Sequence, residues 1–193
     1  PEGLFTTLLV GSPRVQALID DHRIAGVTFT GSTPAGRAIA SQAGQSLKKQ
    51  VLELGGSDPF IVLADPDVEA AAAVAVKARF QNNGQSCIAA KRFIVEEAVA
   101  DRFSAAFCAG ANKLVLGDPL DAATTLGPMA RGNLRDDLDK QVRASIAEGA
   151  RLLAGGAVPD GPGFFYPATV LDQVAPGMTV AREETFGPAA AIL

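Results

Sequence analysis

The 193-residue chain is 48% hydrophobic and 20% charged, with a net charge of −4, enough apolar mass for a core and no basic surplus for nucleic acid. No apolar run approaches the roughly 18 residues of a membrane span, no basic-then-apolar leader is expected, and two cysteines do not make a disulfide framework. A reducing cytoplasm is the expected compartment, and a start at Pro1 without Met predicts an internal piece of a longer chain.

In chain order, residues 4–10 are an apolar, Thr-containing run expected to be a strand, closed by Gly11-Ser12-Pro13. Ser12 as cap and Pro13 as first-turn residue predict a short helix over 14–21. His22, the single histidine, reads as a solvated helix end. With one histidine, neither a Ser-His-Asp triad nor a His-rich metal site fits. A strand over 26–30 then meets Gly31-Ser32-Thr33-Pro34-Ala35-Gly36, which opens a helix over 37–42. Strand, glycine-and-hydroxyl turn and helix together aim N–H groups at an anion. The spacing is not G-x-G-x-x-G and lacks the Lys-Ser/Thr of a P-loop, so this is a weak phosphate signal.

Residues 48–54 read as another strand, giving β-α-β-α-β over 1–54, half of a doubly wound parallel sheet. Glu53 falls at its carboxyl end, where open α/β sheets place ligand groups. Leu52 and Leu54 argue for a partly apolar setting, which suits a carboxylate acting as a base; an edge glutamate facing water is the alternative. Gly55-Gly56-Ser57-Asp58-Pro59 is the clearest hinge, and the expected domains are 1–54 and 55–193.

Beyond the hinge, a strand over 60–63 leads to Asp65-Pro66-Asp67, which should cap an Ala-rich helix over 68–81. That helix runs into Asn82-Asn83-Gly84, residues that break helices and tolerate positive φ. Cys87 therefore sits on a tight polar loop before the strand 93–95. A free thiol is only a few per cent ionised at neutral pH, so a nucleophilic Cys87 needs a base or donors that stabilise its anion. The residues alone leave a half-buried structural cysteine equally open.

A helix over 98–113 should turn Phe103, Phe107 and Cys108 to the core, with no reactive role for Cys108. A Pro/Gly/Thr loop fills 116–129, and a charged helix over 131–148 should keep a solvated face. Strands are expected over 151–153 and 164–171, the latter marked by Pro167 as a bulge or edge. Glu183 to Pro188 leads into a last strand, 189–193.

Three stretches resemble signatures of the aldehyde dehydrogenase superfamily. Phe80, Asn82, Gly84, Gln85, Cys87, Ala89 and Arg92 match its active-site cysteine signature. Leu52-Glu53-Leu54-Gly55-Gly56 matches its glutamate signature, and Glu183-Glu184-Thr185-Phe186-Gly187-Pro188 its third common motif. Their order and separations are family-like, and the resemblance covers essentially the whole chain.

The resemblance implies an α/β, aldehyde-dehydrogenase-like fold: part of a doubly wound parallel cofactor sheet, then an α/β catalytic domain incomplete at its end. It implies oxidation of an aldehyde with NAD or NADP through a thiohemiacetal and thioester on Cys87. One oxyanion donor would be the Cys87 backbone N–H; the family's other, an Asn, would lie upstream of Pro1, so little turnover is expected of residues 1–193 alone. Glu53 would activate the hydrolytic water, since relatives that release product to coenzyme A lack a glutamate there. Gly31, Ser32, Thr33, Gly36 and Leu54 would line the dinucleotide. Glu184 would hold a ribose diol and Phe186 touch the nicotinamide ring. No metal is implied. The central expectation is that Cys87 and Glu53 serve one crevice.

The runs 52–62, 91–96, 127–131 and 149–153 are most similar to bacterial succinate-semialdehyde dehydrogenases. A distal substrate carboxylate calls for an arginine, which some such enzymes place where this chain has Gln81; Arg79 should face elsewhere. On the charged helix, the family's cofactor-contacting lysine falls near Asp137, and no contact is transferred. Another small aldehyde, or a cysteine acyltransferase or amidase without dinucleotide, stays open. No nucleic-acid or membrane partner is expected, and a homodimer or homotetramer is.

Overall fold

The computed structural model describes residues 1–64 and 67–193 and divides into two compact units, Pro1–Gly55 and Gly56–Leu193. Both are α/β with parallel strand pairing.

In the first unit, a 3₁₀ turn Ser12–Arg14 leads into α1 (Val15–Asp20). Pro13 lies in the first turn as expected, but Gly11 and not Ser12 is the cap residue. Strand β1 (Gly26–Gly31), helix α2 (Thr33–Gln45) and strand β2 (Lys49–Leu54) follow, with β1 and β2 parallel and Thr30 opposite Glu53. Residues 4–10 are not the expected strand. Leu4, Phe5, Leu8 and Leu9 are exposed and no described strand pairs with them. An extended segment without a neighbour leaves its amides and carbonyls to water, so apolar character alone does not make a strand. His22 lies exposed just beyond α1.

The second unit begins with β3 (Asp58–Val62). Asp67 caps α3 (Val68–Phe80) by accepting from the Ala70 amide at 3.1 Å; Asp65 and Pro66 of the expected cap lie outside the described residues. Glu69 in the first turn and Lys77 and Arg79 in the last complement the helix dipole. The helix ends where Asn82, Asn83 and Gly84 take φ of 50°, 55° and 67°, the left-handed conformations that Asn and Gly accept most readily. Then come β4 (Ala90–Val95), α4 (Ala100–Ala111), α5 (Gly132–Ala147), β5 (Arg151–Ala154), β6 (Thr169–Asp172), the short α6 (Thr179–Arg182) and β7 (Ala189–Ile192).

The expected strand over 164–171 is confined to its end. Pro167 has no amide for a ladder, and the Phe164 carbonyl instead accepts from Met129 N at 2.8 Å.

The sheet order is β3-β4-β7-β6-β5, parallel except for β5 against β6. The last strand in sequence is therefore the central one. On one face the rings of Phe60, Phe93, Phe103 and Phe107 form a tilted cluster, with the Phe93 and Phe107 centroids 4.9 Å apart. Such aromatic contacts add about 1 kcal/mol each beyond their area burial. Cys108 is not in this core. Phe103, Phe107 and Ala111 recur at helical spacing and face inward, which turns Cys108 about 100° aside, half-buried, with Sγ 3.7 Å from the Leu153 carbonyl. Helix α5 buries Leu138, Val142 and Ser145 and keeps its charges outside, with Asp137–Lys140 and Asp139–Arg143 ion pairs.

Candidate active site

Topology brings two of the three signature stretches together. Strands β4 and β7 are parallel neighbours, so the segments entering them, which carry Cys87 and Glu184, meet at one end of the sheet. Two buried cations join these segments: Arg79, expected only to face away from the substrate, and Lys91, which the sequence reading did not single out.

Arg79, at the end of α3, is 0% exposed. Its guanidinium donates to the carbonyls of Ala90 (2.9 Å), Gly84 (3.0 Å), Thr185 (3.1 Å) and Gly187. Burial pushes its pKa down to about 10, opposed by the Glu184 carboxylate. Lys91, the second residue of β4, is also 0% exposed. Its Nζ donates to the carbonyls of Cys87 (3.0 Å), Ala89 (3.1 Å) and, at 3.4 Å, Ser86. Glu184 Oε1 lies 3.9 Å from the same Nζ. Burial lowers the Lys91 pKa, the charge of Arg79 lowers it further, and Glu184 opposes both.

Above Lys91, Cys87 is exposed on the turn. The turn is fastened on its other side by the expected polar residues. Asn83 donates to the Pro128 carbonyl at 2.8 Å and accepts from Gly127 N at 3.0 Å, while Gln85 Oε1 accepts from Ala130 N at 2.9 Å. Glu184 Oε1 is buried without a hydrogen-bond partner among the described residues. Thr185 is buried and Phe186 is 37% exposed.

The other candidates lie in the first unit, at the carboxyl ends of β1 and β2. Ser32 caps α2, its Oγ accepting from Ala35 N at 3.5 Å. Gly36 is buried against Leu54, whose side chain would overlap a β-carbon there. Leu54 is opposite Gly31 in the ladder, and Glu53 is opposite Thr30. Glu53 is exposed while Leu52 and Leu54 are half-buried. The partly apolar setting expected from those leucines is not there, because successive strand side chains point to opposite faces.

The profile of the aldehyde dehydrogenase family matches residues 1–193. This chain belongs to the aldehyde dehydrogenase family. It is 56% identical over 192 residues to the succinate semialdehyde dehydrogenase [NAD(P)+] of Escherichia coli, covering 100% of this chain and 42% of that protein. The solved structure of Gox0499 superposes with a TM-score of 0.91 at 44% identity, over 95% of this chain and 40% of that one. A mutant of a Pseudomonas syringae aldehyde dehydrogenase, in complex with NAD+ and octanal, gives a TM-score of 0.90 at 34% identity, over 95% of this chain and 39% of that one. The chain thus spans about two fifths of the length of these three proteins.

A family dinucleotide fits the residues of each unit taken singly. The orphaned Glu184 oxygen is an acceptor in want of a hydroxyl donor, which a ribose diol provides. The Gly31–Gly36 turn opens a helix of thirteen residues at its positive end. Arg79 is spent on four carbonyls and is not free for a substrate carboxylate, whereas Gln81 is exposed.

Proposed function

We propose that the protein carrying this chain oxidises succinate semialdehyde to succinate with NAD+ or NADP+, using Cys87 as nucleophile. The observation that carries this reading is an exposed thiol on a turn pinned from beneath by Lys91, beside a carboxylate with an unsatisfied buried oxygen. The substrate is supported by the name of the 56%-identical Escherichia coli relative.

The Cys87 thiolate adds to the aldehyde carbon, making a C–S bond and an oxyanion that accepts from the Cys87 backbone N–H. Gly31, Ser32, Thr33, Gly36 and Leu54 would hold the dinucleotide from the first unit and Glu184 and Phe186 from the second, and it would supply the acceptor for the hydride that leaves the thiohemiacetal carbon as the Cys87 thioester forms. Glu53 removes a proton from water as it attacks that thioester, the C–S bond breaks, and the Cys87 thiolate is regenerated with the carboxylic acid.

The test is turnover of the full-length protein with succinate semialdehyde and with acetaldehyde, each with NAD+ and NADP+, alongside Cys87→Ala. Succinate semialdehyde should be preferred in kcat/KM by at least about tenfold, as one added polar contact provides. Cys87→Ala should lose roughly a thousandfold or more. Undiminished oxidation by Cys87→Ala would overturn the mechanism, and a preference for acetaldehyde the substrate.

A further inference from the structure

Lys91 has no role in the chemistry above, yet it is a fully buried lysine directly beneath the nucleophile. Burying an ammonium is unfavourable unless its donors are satisfied, and here they meet the carbonyls of Ser86, Cys87 and Ala89. The arrangement fixes more than the position of the turn. A trans peptide is planar, with each C=O antiparallel to the N–H of the next residue. With the Cys87 carbonyl on Lys91 at 3.0 Å, and the Ser86 carbonyl shared between Lys91 at 3.4 Å and Ala89 N at 3.2 Å, the Cys87 and Ile88 amides are turned the other way, toward the exposed side of the turn. Neither amide donates to an acceptor among the described residues. Glu184, 3.9 Å from the ammonium, offsets the charge that Arg79 opposes.

We infer that Lys91 is a positioning residue that holds the Cys87 turn with its amides presented to the oxyanion. The inference rests on Cys87 being the nucleophile. It separates two things a structural lysine would not separate. Sulfur alkylation, run well above the ordinary thiol pKa of about 8.5 so that the sulfur is ionised without help, needs an accessible thiolate but no oxyanion donors, whereas aldehyde oxidation needs both.

The experiment compares Lys91→Met and Lys91→Arg with the unaltered full-length protein in three readouts: kcat/KM for succinate semialdehyde, dinucleotide Kd, and the rate of Cys87 alkylation by iodoacetamide. Lys91→Met should lower kcat/KM by about 100-fold, the loss typical of one oxyanion donor. Its dinucleotide Kd and alkylation rate should stay within about threefold of the parent, well under the tenfold that 1.4 kcal/mol represents. Lys91→Arg, which keeps a buried donor and charge, should recover most of the loss. Unchanged turnover in Lys91→Met, or a parallel fall in all three readouts, overturns the inference.

If neither variant folds, a crystal structure of the unaltered protein decides. Lys91 within hydrogen-bond reach of the Ser86 and Cys87 carbonyls, with the Cys87 amide facing outward, supports the inference; an inward amide overturns it. Turnover surviving in Cys87→Ala would instead sink the functional reading itself.

Discussion

The backbone of Gly84 packs against the carbonyl group of Gly187, leaving no space between them for a β-carbon. Arg79 donates to the carbonyls of both. The turn that leads to Cys87 and the segment that carries Glu184 are thereby held together by one buried cation and one missing side chain.

Gly84→Ala should therefore be costly twice over. Residue 84 has φ of +67° and the new methyl would collide with the Gly187 carbonyl. A left-handed alanine and local overpacking together should remove roughly 3 kcal/mol in urea unfolding. A loss under about 0.5 kcal/mol, the size of an ordinary surface substitution, would contradict this packing.

Asn83→Ala should loosen the turn without collision. The side chain supplies one hydrogen bond to Pro128 and one from Gly127, and φ of 55° is easier for Asn than for Ala. Two lost bonds at about 1 kcal/mol each and the change in left-handed preference predict a loss of roughly 2–3 kcal/mol. Limited proteolysis should then cut the loop around residues 127–130 faster than in the parent. Equal cutting rates would show that Asn83 does not fasten that loop.

Glu148 should contribute to acid stability. Its carboxylate accepts from Thr179 N at 2.7 Å and Thr179 Oγ1 at 2.8 Å, capping α6. The Thr179 amide is the main cause of a pKa lowered from the ordinary glutamate value, aided by the hydroxyl and by Arg182. A carboxylate with a depressed folded-state pKa stabilises fully above the unfolded value, about 4.3, and loses that contribution as pH falls through the lower folded value. The stability gap between the parent and Glu148→Gln should be widest at neutral pH and close as the pH falls below about 4. A gap that does not change with pH would contradict the cap.

The local part of the site was legible in the sequence. Asn82-Asn83-Gly84 announced the end of α3 and its positive φ values, because such preferences reside in the residues themselves. Arg79 was not legible, since two of its acceptors, Thr185 and Gly187, lie 106 and 108 residues away. Lys91 left a readable trace: two residues before Phe93, it shares that residue's face of β4, and a lysine on a buried strand face needs an internal partner. Residues 4–10 were misread because a strand is a property of a pair. The setting of Glu53 was misread because its sequence neighbours face the other way.

The most direct test of the central claim is intact and peptide mass spectrometry of full-length Glu53→Gln. The variant is first mixed with succinate semialdehyde and oxidised dinucleotide. With the proposed water-activating carboxylate gone and the thiol intact, a succinyl thioester should accumulate on Cys87 alone, after a single burst of reduced dinucleotide. An acyl group on another residue, or steady turnover with no adduct, would contradict the account.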